Sequence, residues 1–131
     1  MNSHRARHFL AILLAFLGAA HSARAHHSMA AEFDTNKQIT VTGTLTRVEW
    51  TNPHIYWYVD VKNDATGNVE TWTFEGPAPG ILHRSGVTKD VFRIGEVVTV
   101  TAFAAKDGTQ HLGFGQTTKY TDGHVVYFNR L

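Results

Sequence analysis

The sequence predicts an all-β domain: a small β-barrel of the oligonucleotide/oligosaccharide-binding (OB) type, with five to six antiparallel strands and one short helix between strands 3 and 4. Two observations predict it. Several stretches alternate apolar with polar residues and are separated by turn residues, which is typical of half-buried strands. A stretch with two prolines and a short helical pattern falls between the third and fourth of them, as in a partly open OB barrel.

The first predicted strand begins at Ile39, where apolar residues alternate with threonines. Val48 and Trp50 then fall in the opposite phase, and Gly43 lies nearby. A phase slip of one residue near a glycine predicts a bulge or a sharp bend. The stretch 51–53 ends the strand, because its proline has no N–H and restricts the preceding residue.

The second strand is predicted at residues 54–62, with an aliphatic face that includes Trp57 directed to the core. Trp50, Trp57 and Trp72 are expected in the core or at the barrel mouth, because large rings supply much of the burial in a small domain. The later elements are a strand at 69–74, a short helix at 81–85, and strands at 97–105, 111–120 and 125–128.

The first 25 residues have the pattern of a secretory signal peptide. Arg5 and Arg7 precede an apolar run at residues 9–20, and a short polar piece ends at Ala25 in a small-x-small site. The run is shorter than the roughly 20 apolar residues of a membrane-spanning helix, so we expect cleavage and no membrane partner. A cut after Ala20 is the alternative. We divide the chain into a cleaved signal peptide (1–25), an irregular N-terminal lead (26–38) and the barrel (39–131), located in the periplasm or secreted.

Removal of the signal peptide changes the charge of the chain. Lys plus Arg falls from 12 to 9 while all 11 acidic residues remain, so the formal charge becomes −2 instead of +1. A nucleic-acid-binding domain normally keeps a basic face for the phosphates, so we expect no nucleic-acid partner. The chain has no cysteine, which rules out disulfides and thiol chemistry.

Three motifs make the chain similar to a known family. They are HHSMAAEFD at residues 26–34, GTLTRVEWTNPH at 43–54 and W-x-F-E-G at 72–76. Together they resemble an uncharacterised family of small exported bacterial proteins, a domain of unknown function. The resemblance implies export and no catalytic residue. Its motif positions include His26, His27, Glu32, Asp34, Asn52, Pro53 and His54.

The histidines at the expected mature start predict a metal site. After cleavage behind Ala25, the first residue would be His26, whose α-amine and imidazole chelate one ion. A second imidazole would complete a three-nitrogen site of the histidine-brace kind, which suits copper best, although zinc and nickel accept the same donors. We expect His54 to be that second ligand, because a strand start after Asn52-Pro53 is a rigid place for a donor.

Three further residues belong to the metal hypothesis. His27 would take the place of either histidine, and Glu32 or Asp34 would supply a carboxylate ligand or a hydrogen bond to an imidazole. The alternative is that the paired histidines are polar residues of a tail. His83, His111 and His124 are assigned to the surface.

A second hypothesis, of another class, is a metal-free binding module. Tyr56 and Tyr58 share the face opposite the aliphatic stripe, with Trp50 and Asn52 at the end of the preceding strand. Exposed aromatic patches often bind a small ligand or a partner protein, here another exported protein.

Catalytic motifs are missing from the chain. It has no nucleophile elbow, phosphate loop, H-E-x-x-H or dinucleotide fingerprint, which favours a binding protein over an enzyme. We therefore predict an exported protein that handles or delivers a metal ion, copper above all, with the binding module as the alternative.

Overall fold

A computed structural model describes residues 28–128 of the chain. Its elements are α1 (Met29–Glu32), β1 (Phe33–Glu49), β2 (Tyr56–Lys62), β3 (Val69–Glu75), α2 (Pro79–Arg84), a 3-10 helix (Lys89–Val91), β4 (Val97–Ala105), β5 (Leu112–Tyr120) and β6 (Val125–Tyr127). Six strands with a short α-helix between β3 and β4 confirm the predicted all-β class. No helix within residues 28–128 is long and apolar enough to cross a membrane.

The strands form a closed but uneven ring. Neighbouring strands follow the order β3-β2-β1-β4-β5-β6, and β3 also pairs with β5. That closing contact is parallel and short, with Thr73, Phe74 and Glu75 opposite Leu112, Gly113 and Phe114. The other pairs are antiparallel, and β6 extends the sheet beyond β5. This is the strand order of an OB barrel, with the predicted additional strand at its edge.

β1 is long because it serves two neighbours. Its first part pairs with β4 up to Thr44, and its second part pairs with β2 from there to Glu49. The predicted bulge is confirmed as a register shift between Leu45 and Arg47. Gly43 lies next to the bend, where an added Cβ would overlap the carbonyl oxygen of Asp60 on β2. Only glycine allows the two backbones to approach so closely.

The N-terminal segment differs from the expected irregular lead. One helical turn occupies residues 29–32, and β1 begins at Phe33, six residues before Ile39. Phe33 lies opposite Ala105 of β4, and a register shift between Asp34 and Gln38 places the intervening polar residues in a bulge. The expectation of an irregular lead at residues 26–38 is therefore corrected for residues 29–38. These residues form α1 and the first part of β1, and the Phe33 ring is buried.

The barrel core is built around Trp57, which is fully buried. Its ring stacks on Phe128 with centroids 4.5 Å apart and contacts Phe74 and Phe92 at 5.8 and 5.6 Å. A Cβ added at Gly115 of β5 would overlap the indole ring, so this glycine leaves the volume that the ring fills. A smaller second cluster consists of Phe33, Ala105 and Phe114, with Met29, Phe103 and Leu112 packed against it.

We expect Gly115→Ala to destabilise the barrel, because its methyl group has no space beside Trp57. Overpacking of this kind costs about 1–3 kcal/mol, which lowers the melting temperature by roughly 4–8 °C per kcal/mol in a domain of this size. Thermal and urea unfolding followed by circular dichroism measure the effect.

The matched control is Gly80→Ala in α2, where the nearest atom to the new Cβ lies 3.8 Å away on the flexible Arg84 side chain. Alanine in a helix is favoured over glycine by about 0.5–1 kcal/mol, so this variant should be as stable as the parent or more stable. Trp57→Phe in the Gly115→Ala background should recover part of the loss, because the smaller ring leaves room for the methyl group. Equal stability of Gly115→Ala and the parent would contradict the packing described here.

Candidate functional site

Four polar side chains gather where β3 ends and β2 begins. We call them the His54 cluster: Glu32, His54, Tyr56 and Glu75. Tyr56 is the cross-strand neighbour of Glu75, and His54 lies two residues before Tyr56, in the extended segment that continues β2 backwards. Backbone hydrogen bonds between Ile55 and residues 76–77 fix that segment, with Gly76 N–H donating to the Ile55 carbonyl at 2.9 Å. The ladder thus places the imidazole diagonally from the carboxylate.

The closest contact in the cluster joins His54 and Glu75. His54 Nδ1 lies 2.6 Å from Glu75 Oε1, and the two side chains are 29% and 12% exposed. The Nδ1 atom is buried, and its contact with the carboxylate lacks the alignment of a hydrogen bond. Buried polar atoms without an aligned hydrogen-bond partner are rare in folded proteins, so this nitrogen is a candidate ligand atom.

Burial and charge shift the acid–base behaviour of the cluster. Burial raises the pKa of Glu75 above its usual value, and the Glu32 charge raises it further, while His54 and the Tyr56 hydroxyl act in the opposite direction. Burial also raises the pKa of the Tyr56 phenol, followed by the charge of Glu75 and a hydrogen bond to it. Glu75 therefore lies in a partly desolvated place beside His54, with the exposed Glu32 close enough to influence its charge.

The N-terminal segment reaches this cluster because two contacts hold it on the β4–β5 loop. The Lys106 backbone N–H donates to the Glu32 carbonyl at 2.9 Å, and Lys106 Nζ donates to the Ala30 carbonyl. Phe33, next along the chain, packs on Phe114 with ring centroids 5.5 Å apart. A cavity of about 360 Å³ lies between the segment and the loop, and its wall includes Glu32, Glu75 and Lys106.

The structure brings together some of the predicted metal ligands. His54 and Glu32 belong to the cluster, whereas His26 and His27 lie outside the described residues. Asp34 is used locally, because its Oδ1 accepts a hydrogen bond from the Asn36 backbone N–H at 2.9 Å. Within residues 28–128, no three or more histidine, aspartate or glutamate side chains form a group ready to hold a metal ion.

The four residues predicted for ligand binding lie in different local surroundings. Tyr58 is covered by the Arg47 guanidinium, 3.8 Å from its ring centre. Trp50 packs edge-on against Phe92 at 6.2 Å. Asn52 is exposed in the turn before His54, where its peptide bond to Pro53 is cis. Tyr56 is the exception, since it joins the His54 cluster.

A family model matches residues 14–114 of the chain. The chain belongs to a family of unknown function (DUF6152). Neither the search of curated proteins nor that of solved structures found a match. The match confirms the resemblance to an uncharacterised family. The DUF6152 region includes Glu32, His54, Tyr56 and Glu75, and the family description assigns none of them a role.

Glu75 is the member of the cluster that the sequence interpretation of this DUF6152 chain missed. The W-x-F-E-G motif contains it, but its importance depends on the register between β2 and β3, which places it beside Tyr56. The sequence pattern that could have indicated Glu75 is a carboxylate at an outward-facing position, which follows the inward-facing Trp72 and Phe74. His111 is also half-buried rather than a free surface residue, while His83 and His124 are exposed as expected.

We expect Glu75→Gln to stabilise the domain at neutral pH. Because burial raises the folded-state pKa of Glu75 above the ordinary glutamate value of 4.5, Glu75 contributes stability below that value, and the contribution is lost as pH rises through the folded-state pKa. Glutamine imitates the protonated side chain, so the variant should unfold at a higher temperature than the parent at pH 7, and the difference should shrink below pH 4.5. Thermal unfolding between pH 3 and 8 measures it.

The control is Asp64→Asn in the exposed β2–β3 turn, which should change stability by no more than about 0.5 kcal/mol. A Glu75→Gln variant less stable than the parent at pH 7 would show that attraction to His54 outweighs the burial of the carboxylate.

Proposed function

We propose that the protein is exported to the periplasm or secreted and binds a transition-metal ion, best matched by copper(II), at the His54 cluster together with its N-terminal histidines. The ligands would be His54, Glu75 or Glu32, and the nitrogens of His26 and His27. The role would be the handling or delivery of the ion rather than catalysis.

One observation carries the proposal: a buried imidazole nitrogen without an aligned hydrogen bond faces a carboxylate at 2.6 Å. An imidazole just before β2 and a carboxylate at the end of β3 would supply two neighbouring ligands on a fixed backbone. In metal sites the carboxylate either binds the ion directly or orients the imidazole, and the loss of such an orienting partner typically lowers metal affinity by about 10- to 100-fold.

The short stretch of chain between Glu32 and the N-terminal histidines supports a contribution of His26 and His27 to the site. Glu32 already belongs to the cluster, and His27 and His26 precede it by five and six residues. An extended chain of that length spans at most about 16–22 Å, and the helical turn of α1 reduces the distance. The Lys106 contacts hold the backbone of this segment at residues 30 and 32, on the same side as Glu75.

The donor set supports the choice of metal. Imidazoles, an α-amine and carboxylates are present, and cysteine is absent from the chain. Nitrogen and oxygen donors without thiolate suit copper(II), nickel or zinc, and copper(II) binds most tightly in that series. Because an imidazole must be neutral to bind a metal ion, affinity should fall as pH is lowered.

The test uses the protein recovered from the periplasm of an expressing cell. Its intact mass should correspond to a chain beginning at His26, and native mass spectrometry should show one tightly bound copper. His54→Ala should reduce copper affinity by at least tenfold in a competition titration, and Glu75→Gln by about 10- to 100-fold. The matched control is His124→Ala, which removes an exposed imidazole in the β5–β6 turn and should leave affinity unchanged.

A variant with three glycines inserted before His26 tests the amine ligand separately, because it moves the chelating amine away from that imidazole and leaves no histidine among the first three residues. Equal copper affinity for the parent, the inserted variant and His54→Ala would refute the site. A mature chain that begins at another residue would refute the amine ligand and leave His54 to be tested alone.

A further inference from the structure

A second cavity, of about 410 Å³, lies on the other side of the β4–β5 loop from the His54 cluster. Its wall is mostly apolar and includes Ile39 of β1, Trp72 of β3 and Leu112 of β5. We call it the Trp72 cavity. Its volume lies in the range of about 300–1,000 Å³ that is usual for small-molecule sites.

His111 forms part of the wall in an uncommon backbone conformation. Its φ of 56° is the one positive value at a non-glycine position among residues 28–128, and such conformations often occur where a side chain is held for function. The imidazole packs on Trp72 with ring centroids 5.0 Å apart. Its Nε2 lies 3.2 Å from Glu70 Oε2, and Glu70 Oε1 accepts a hydrogen bond from Asn63 Nδ2 at 2.8 Å. Two flat rings are thus fixed side by side at the cavity.

An exposed ammonium lies at the wall of the cavity. Lys37 is a lining residue, and it has no ion-pair partner within the described part of the chain. The nearby Asp107 carboxylate is occupied by its own turn, where it accepts a hydrogen bond from the Thr109 N–H at 2.9 Å. Glu70 already has two partners, so an exposed ammonium faces an apolar, ring-lined cavity.

We propose that the Trp72 cavity binds a small carboxylate with a flat aromatic body. The ring of the ligand would pack against Trp72 and His111, because aromatic rings favour offset or edge contacts at these separations. Its carboxylate would pair with Lys37, which supplies a mobile charge at the rim. This site uses none of the proposed metal ligands, so it does not depend on the metal proposal.

The experiment titrates the mature protein with benzoate and follows the indole N–H signals of its three tryptophans by NMR. The Trp72 signal should shift in a saturable way, with a dissociation constant on the order of 1 mM for a ligand of this size. The signal of the buried Trp57 should not move. Cyclohexanecarboxylate and benzyl alcohol serve as matched ligands that lack the aromatic ring and the charge, respectively, and each should bind at least fivefold more weakly.

Two substitutions, Lys37→Gln and His111→Asn, test the position of the site, and two others serve as controls. Lys37→Gln removes the exposed charge and should weaken benzoate binding at least fivefold. Lys119→Gln, at the far end of β5, should leave it unchanged. His111→Asn keeps a residue type that tolerates positive φ and removes the ring, so it should also weaken binding. His54→Ala should have no effect, which separates this site from the His54 cluster.

Absence of saturable benzoate binding, or equal affinity in the parent, Lys37→Gln and His111→Asn, would overturn the proposal. Equal binding of cyclohexanecarboxylate would overturn the aromatic requirement, and equal binding of benzyl alcohol would overturn the requirement for an anion.

Discussion

The packing of Trp57 against glycine is the constraint on which the barrel depends. The indole occupies the centre of the core, and β5 approaches it closely because Gly115 has no side chain there. Gly76, directly after β3, leaves space for the ring in the same way, because a Cβ there would lie 2.9 Å from the indole. Since β3 and β5 close the ring, the indole and the two glycines beside it set how closely these strands approach the core. The same seam carries Glu75 and borders Trp72.

A separate, smaller cluster positions the N-terminal segment. Phe33 is 2% exposed and packs with Phe114 outside the main core. Lys106 adds a backbone and a side-chain hydrogen bond to the same segment. Burial of one aromatic ring is worth about 1.5–3 kcal/mol. Ordering the backbone costs roughly 1–2 kcal/mol per residue, so the Lys106 hydrogen bonds and the pairing of Phe33 with β4 must contribute as well. The position of Glu32 beside Glu75 follows from these contacts rather than from the barrel core.

Sequence reasoning succeeded where the signal is local. The alternation in residues 54–62 predicted the buried face of β2, and the phase slip near Gly43 predicted the bulge in β1. It missed the start of β1, because Phe33 is a single apolar residue followed by a polar bulge with no period. It also missed the pairs His54–Glu75 and Trp72–His111, since each joins residues from distant parts of the chain. Such pairs depend on strand register and ring closure, which a local pattern does not encode.

The parallel seam between β3 and β5 is the closing contact of the barrel, and it passes through the wall of the Trp72 cavity. The Thr73 N–H donates to the His111 carbonyl at 2.8 Å, so the residue that walls the Trp72 cavity is bonded to the strand that ends in Glu75. Local opening of this seam would separate Trp72 from His111, whereas His54 and Glu75 face each other across β2 and β3 and would stay together. A ligand held between Trp72 and His111 would therefore add its binding free energy to the closed barrel.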